Sequence, residues 1–518
     1  MVENLKIRIV PEEYGDEKKL FRQLSAKAGK RINAWRLIRK SIDARQKQVW
    51  IDAEYEVATG ETKKLDNTFE KTEFRPVKAD SPQVVVVGAG PAGLFAALRA
   101  IEKGWKPVVI ERGKPVEERL RDIVELQKNG VLNPESNFCY GEGGAGAFSD
   151  GKLFTRSKKR GNVKEVLALL HQHGAKEEIM YEAHPHIGSD KLPGVIRAIR
   201  NTILENGGEI HYSTPMKELI VRGGKVEGVR TTDGREIEGP VVLATGHSAR
   251  DIYEYLDSIG IRLEQKGFAM GVRLEHPQPL IDRIIYHNTG GRGAYLPPAE
   301  YKMVTQAEGR GVYSFCMCPG GVIVPAVSAE GESVVNGMSA SGRSGRWANS
   351  GMVVEIRPED FPEYSSKGAL GLMYLQRDLE RKFYKESDSL NAAAQRMEDF
   401  VKGRKSKDLP RTSYVPGIHS VELEKLLPDH IARRLKTGFR EFDRKNRGFL
   451  TNEATMIGLE SRTSTPVRIP RDPETLRHPE VEGLYPAGEG AGYAGGIVSA
   501  AMDGRKAIDA IINNQEIK

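Results

Sequence analysis

The chain has 518 residues, enough for two or three domains of roughly 100 to 200 residues and for a large buried core. This excludes a peptide-sized or disulfide-stapled fold. The three cysteines, Cys139, Cys316 and Cys318, offer no CxxC pair and no zinc-type spacing, so a cytoplasmic protein without a disulfide framework is expected. The net charge of +7 is concentrated: residues 18–47 hold eleven Lys or Arg and one acid, Asp43, a local net of +10. A solvated helix face accounts for such a run; the alternative is an anionic partner, RNA or an acidic protein.

Along the chain, the first ten residues carry charges within their apolar run and lack a small-residue cleavage site, which marks a strand and not a secretory signal. Residues 5–10, 37–44 and 49–57 read as strands and 16–28 as a helix, giving a small N-terminal α/β domain over 1–78. A linker rich in charge and proline, 75–82, leads into a strand, a glycine-rich turn, a helix and a second strand ending at Glu111. Residues 84–101 are nearly apolar enough for a membrane span. The glycine turn, Pro91 and Arg99 within them predict a buried strand and helix instead. A helix at 191–206 and strands at 209–212, 216–222, 225–231 and 240–245 follow, separated by turns such as Gly223-Gly224 and Asp233-Gly234. These elements make 81–265 the first part of a nucleotide-binding domain. Residues 266–450, with a helical block at 370–401, read as an inserted domain. The remainder, 451–518, is read as a second part of the nucleotide-binding domain, since 483–512 returns to strand, glycine-rich turn and helix.

Glycine is in surplus, 55 of 518 residues, with no Gly-X-Y period and no Gly/Ser tract, so tight turns and backbone-lined pockets are its expected use. The strongest motif is QVVVVGAGPAGLFAALRAIEKGWKPVVIER, residues 83–112. Gly88 permits the tight turn, Gly90 lets a diphosphate approach the backbone, and Gly93 lets helix pack on strand. Pro91 and Ala92 open a helix whose free N–H groups and positive dipole end face the phosphates. Glu111, 23 residues after Gly88 and next to Arg112, would accept hydrogen bonds from ribose hydroxyls.

FAD and NAD proteins share this fingerprint, and three further segments decide for FAD by resemblance. VVLATG, residues 241–246, with Thr245 and Gly246 and with Met216 on a preceding strand, resembles the second FAD-contacting segment of the glutathione-reductase-like flavoprotein superfamily. GLYPAGEGAGYAGGIVSAAMDG, residues 483–504, resembles that superfamily's C-terminal FAD motif. The likeness implies Gly488 in the turn, Glu489 on the ribityl hydroxyls, and Gly495, Gly496 and Ile497 presenting N–H groups to the flavin pyrimidine. CYGEGGAGAFSDGKL, residues 139–153, resembles the flavin-contacting glycine loop of the fumarate-reductase-like branch, which implies contacts from Gly143, Gly144 and Ala145. Together with IGSDKL, ATGHSARD, GVRLEHPQ, SFCMCPGG, ESRTSTPVRI and GEGAGYAGGI, almost the whole chain resembles the bacterial group of uncharacterised, NAD(FAD)-utilising FAD-dependent dehydrogenases. The resemblance implies an α/β fold: a Rossmann-like three-layer FAD-binding domain split by an inserted α+β substrate domain and preceded by the small N-terminal domain. It also implies an FAD-dependent oxidoreductase using noncovalent FAD.

No second GxGxxG follows a strand after Gly93, so NAD(P)H, if it is the reductant, binds without a Rossmann domain of its own. Cys316 and Cys318 form a CxC pair that is either core packing or a redox-active dithiol, whose disulfide would be strained and relatively oxidising. His247 follows the ATG turn as an acid/base group, an electrostatic partner of reduced flavin, or a backbone-bonded turn histidine. Arg273 and Arg462 are candidate substrate or flavin contacts, or interdomain salt bridges. His184 and His186 have no third ligand nearby, so no metal is expected. Substrate, oligomeric state and the role of the basic segment are open. An RNA-modifying flavoenzyme and a non-catalytic FAD-binding redox sensor stand as alternatives to the oxidoreductase.

Overall fold

The structure is a computed structural model describing residues 1–62, 64–65, 69–155 and 161–516; the last two residues of the expected C-terminal FAD part lie outside these. Four consecutive valines set its frame. In the strand Gln83–Val87, Val84 and Val86 enter one core, Val85 and Val87 another, and all are buried. A strand apolar on both faces belongs inside a parallel sheet. The strand order is Leu484–Pro486, Val241–Leu243, Gln83–Val87, Lys106–Ile110 and Glu209–His211, each neighbouring pair parallel. Helices Pro91–Glu102, Leu192–Glu205 and Ile497–Glu516 cover one face. An antiparallel meander, Met216–Arg222, Lys225–Thr231 and Glu236–Glu238, covers the other. The result is an α/β, Rossmann-like, three-layer fold.

Between Val241–Leu243 and Leu484–Pro486 the chain builds an eight-stranded sheet, with Phe268–Pro277 flanked by Trp347–Ile356 and Thr455–Glu460. Helices Gly371–Lys385 and Asp429–Lys445 bury their apolar faces against it. Two expectations are corrected here. The block 370–401 is not helical throughout: Ala392–Arg396 is a strand paired with Ile418–Ser420 and Thr455–Glu460, because small, fully buried Ala392, Ala393 and Ala394 fit between close strands despite their helical propensity. The division at 450 falls short of the sheet's strand Thr455–Glu460; that strand is buried on every side, so no alternation of apolar and polar residues marks it as part of the sheet.

The N-terminal sheet places Trp50–Thr59 between Val2–Ile9 and Ile32–Asp43, all antiparallel, under the helix Glu17–Ala28. Asp16 caps that helix and Gly29, in the left-handed region, ends it. The basic run divides in two. Lys18, Lys19, Arg22 and Lys27 on the helix, and Lys30 and Arg31 after it, are exposed. Arg36 pairs with Glu56, Lys40 with Glu182 (2.7 Å) and Arg45 with Asp43 (2.8 Å). The edge strand Ile32–Asp43 is extended by residues 181–183: Lys40 N–H donates to Tyr181 O and Ala183 N–H to Lys40 O, each 2.8 Å. Among the described residues no helix is long and apolar enough to cross a membrane.

The helix Ile497–Glu516 crosses Pro91–Glu102 so closely that a Cβ on Gly504 would lie 1.9 Å from Ala92 O, whereas a Cβ on Gly194, in Leu192–Glu205, would meet nothing within 4 Å. Gly504→Ala should therefore cost about 1–3 kcal/mol through overpacking. Gly194→Ala should be neutral or stabilising by up to about 1 kcal/mol. Denaturant melts of both variants check this; equal effects would refute the close crossing.

Candidate functional site

A cavity of about 660 Å³ lies between the carboxyl ends of the parallel strands and the inserted sheet, where open α/β sheets take their ligands. Gly88 turns at φ +105° under Ala244 O, 2.4 Å from where a Cβ would stand. Gly90 caps the helix Pro91–Glu102, and a Cβ on Gly144 would lie 3.1 Å from Gly90 Cα. Gly88, Gly90, Pro91, Ala92, Gly144 and Ala145 thus line a cradle built largely of backbone at an open helix N-terminus. That donor set fits the diphosphate of a dinucleotide. Gly93 and Gly143 do not line the cavity. A Cβ on Gly93 would lie 1.8 Å from Gly88 O, and one on Gly143 2.4 Å from Ile196 Cδ1, so both glycines serve packing beneath the cradle.

Glu111 and Arg112 also face the cavity. The Glu111 carboxylate is already engaged: Oε2 accepts from Ala89 N–H (2.8 Å), and Oε1 accepts from Gly113 N–H (2.9 Å) and Gly141 N–H (3.0 Å). A carboxylate has about four lone-pair positions, so one remains for a ribose hydroxyl. Arg112 pairs with Glu135 (2.6 Å) and Asp251 (3.0 Å) and lies over the Tyr140 ring, 4.3 Å from its centroid. Sequence reasoning missed Arg119. Fully buried in the helix Val116–Asn129, it donates to the carbonyls of Asn137, Phe138, Gly141, Glu142 and Gly144, and burial lowers its pKa to about 10. A charged residue on the buried face of an apolar-periodic helix is the signal that could have found it.

Met216, Thr245 and Gly246 line the same cavity, as do Gly488, Glu489, Gly495, Gly496 and Ile497. The Gly495 N–H is taken by Ser499 Oγ (3.2 Å), which leaves Gly496 and Ile497 at the open start of the last helix. The Glu489 main-chain carbonyl accepts from Gly492 N–H (2.9 Å), but its carboxyl has no hydrogen-bond partner among the described residues; burial pushes that carboxyl up to about 7 despite Lys266 nearby. A buried carboxyl facing a cavity without a partner is the acceptor that a polyol chain such as ribityl supplies with donors. The cradle and this carboxyl therefore both fit FAD.

His247 lines the cavity with Nδ1 2.8 Å from Ser248 Oγ, and burial, aided by Arg462 and Arg250, pushes it down to about 4. In the flavin-free protein it is therefore neutral at neutral pH. Arg462 reaches the cavity wall, but its donors are spent internally on Glu380 (2.9 and 3.1 Å), Glu332 (2.7 Å), Ser328 (2.6 Å) and the Cys139 sulfur (3.6 Å). Arg273 is corrected as a contact residue: it is wholly buried outside the cavity and bonded to Glu460, Asn349, Asn336 and Cys316 O. Both arginines act as interior struts.

The inserted wall of the cavity includes Cys316 and Cys318 on the strand Arg310–Pro325. The pairing slips between Phe315 and Cys318, and Cys316 takes φ +41°. Cys316 is exposed towards the cavity, although the surrounding protein pushes its thiol up to about 12; Cys318 is buried. Beside them Lys152 pairs with Asp150 (3.1 Å), Asp150 with Arg343 (2.5 Å), and Arg343 with Glu300 (3.7 Å). His184 bonds Glu300 and His186 bonds Ser341 O (3.1 Å), so the two histidines go to different partners. The sequence displayed Asp150 and Lys152 only as letters of a glycine loop. Their partners lie far along the chain, which hides the cluster.

Family models match residues 83–120 as an FAD binding domain, 193–320 as an FAD dependent oxidoreductase, 267–463 as the C-terminal domain of an FAD-dependent protein, and 1–58 as a domain of unknown function. Fold, cavity and models together define an FAD-dependent oxidoreductase. A Clostridium beijerinckii protein described as uncharacterized is 42% identical over 97% of this chain and 96% of its own, and the chain belongs to that protein's family. Among solved structures, a geranylgeranyl bacteriochlorophyll reductase-like protein of Thermoplasma acidophilum aligns at 13% identity and TM-score 0.36, over 84% of this chain and 80% of that one. Glycine oxidase of Bacillus cereus aligns at 14% and 0.32, over 84% and 96%. Both are too distant to inform the chemistry.

The raised Glu489 pKa means the fold favours the protonated carboxyl. Its contribution to stability is whole below the ordinary value of 4.5 and is lost as pH rises towards about 7. Melts of flavin-free protein between those limits should show a falling Tm component that Glu489→Gln lacks; parallel profiles would refute it.

Proposed function

We propose that the chain binds one FAD noncovalently along this cavity and passes hydride or electrons between the flavin and a small molecule held against the inserted sheet. One observation carries the reading: segments 88–92, 111–112, 144–146, 244–247 and 488–497, far apart in sequence, converge on one cavity opposite 315–318. Gly90, Gly144 and the helix start would hold the diphosphate, Glu111 the ribose through its remaining lone pair, and Glu489 the ribityl hydroxyls. Gly496 and Ile497 would point N–H groups where reduction of the pyrimidine places negative charge. The bound FAD supplies the redox chemistry. The inserted sheet forms the wall opposite the FAD segments, and His247 stands beside them in the same cavity.

No second dinucleotide fingerprint occurs in the chain, so a nicotinamide donor would enter the same cavity. The resemblance to the NAD(FAD)-utilising group makes such a donor the first reductant to try. A cytoplasmic location belongs to the same reading, since all three cysteines are free thiols.

Purified protein should be yellow and release FAD on acid denaturation. FAD at 100 times its Kd should stabilise the flavin-free protein by about 2.7 kcal/mol. Gly90→Val, where a Cβ has 3.8 Å of room, should keep the fold and lose at least about tenfold in FAD affinity. Anaerobic titration with NADH, NADPH and a metabolite panel then reads the donor as loss of flavin absorbance. Colourless protein with no thermal response to FAD would overturn the proposal.

A further inference from the structure

The wall opposite the FAD segments carries a second group able to hold two electrons. Cys316 and Cys318 line the cavity together, and they are not equivalent. Cys316 is open to the cavity, which core packing does not explain, while Cys318 is inner and buried. The Cys318 sulfur lies between two cations, 3.4 Å from Arg273 Nη2 and 3.7 Å from Lys152 Nζ. The same Arg273 nitrogen holds Cys316 O at 2.7 Å, so one buried guanidinium fixes both cysteines. Arg273 cannot drift, because Glu460 and Asn349 hold it and Gly337 leaves it room: a Cβ there would lie 2.2 Å from Nη2. Lys152 is tethered by Asp150 at 3.1 Å. The Cys318 sulfur also lies 3.2 Å from Cys316 O, so the two cysteines and the two cations form one cluster.

We propose that Cys316 and Cys318 are a redox-active dithiol, recharged by the flavin, that reduces a low-molecular-weight disulfide admitted to the cavity. This rests on the FAD reading above. The cavity-facing Cys316 attacks one sulfur of R–S–S–R. That S–S bond breaks, R–S⁻ departs with the Cys316 proton, and a Cys316–S–S–R mixed disulfide remains. Cys318, its sulfur held by Arg273 and Lys152, attacks Cys316 Sγ. The second R–S⁻ departs with the Cys318 proton, and the Cys316–Cys318 disulfide closes. Two electrons have passed to the substrate. Two electrons and two protons from reduced flavin, itself reduced by a nicotinamide-class hydride donor, restore the dithiol.

The test uses the full-length holoprotein and 2-hydroxyethyl disulfide as probe. After treatment, alkylation and digestion, mass spectrometry should find the peptide spanning 316–318 unalkylated and lighter by two hydrogens, with Cys139 alkylated. Anaerobic dithionite titration of the oxidised protein should consume about four electron equivalents per flavin, against about two in Cys316→Ser and Cys318→Ser. Cys316→Ser alone suffices if the buried variant fails to fold. Alkylation of both Cys316 and Cys318 after treatment would overturn the proposal, as would a disulfide that leaves the wild-type titration at two equivalents. Failure of the FAD reading shows separately as protein without flavin absorbance, while the peptide result still reports on the thiols.

Discussion

The carboxylate of Glu111 is the tie on which the cofactor cradle depends. It sits almost out of reach of water at the end of the strand Lys106–Ile110 and takes N–H groups from Ala89, Gly113 and Gly141, one from each of three separate loops. A buried carboxylate must be satisfied, and charge-assisted bonds to backbone are the strong way to do it. Main chain can only crowd an acid in this way without side chains, and a Cβ on Gly113 would lie 2.5 Å from Gly141 Cα. Arg119 does the complementary work, collecting the carbonyls of the loop whose N–H group at Gly141 is given to Glu111. A loop clamped by an anion through its donors and a cation through its acceptors has one conformation available. Gly113, Gly141 and Gly144 belong to the glycine surplus for that reason.

The inserted domain is held to the FAD side by a similar device. Arg250, at the start of the helix Arg250–Ser258, and Arg462, just past the strand Thr455–Glu460, share Glu332 and Glu380, all deeply buried. Such networks contribute little net stability once desolvation is counted, but breaking one partner leaves an uncompensated charge, so they select a single arrangement. Here the arrangement selected is the distance between the FAD segments and the strand bearing the cysteines.

The sequence made legible what is local. Four valines, a GxGxxG turn and an acid 23 residues on are one contiguous unit, and the sheet, helix and cradle follow from it. The N-terminal strands were legible because one face alternates. Illegible features share a different cause. Ala392–Arg396 and Thr455–Glu460 are buried on all sides and show no period, so neither their strand character nor their sheet could be read. Arg273 resembled a contact residue because an isolated arginine in a turn-rich stretch gives no hint that Asn349 and Glu460 will enclose it. Whether the CxC pair is core packing or faces the cofactor segments was not legible, because distance along the chain says nothing about which walls of a cavity face each other.

The parallel sheet is assembled from both ends of the chain, since Leu484–Pro486 lies beside Val241–Leu243 and the helix from Ile497 packs on Pro91–Glu102. On a ribosome, the nascent glycine turn at Gly88 to Gly93 therefore waits roughly 20 to 80 s, at about 5–20 residues per second, before the far wall of its cradle exists. The side of Pro91–Glu102 that packs on Ile497–Glu516 stays uncovered for that interval. A message truncated after Gly93 and before the last helix therefore yields a polypeptide that carries the dinucleotide fingerprint yet lacks the Gly496 and Ile497 wall of its cavity.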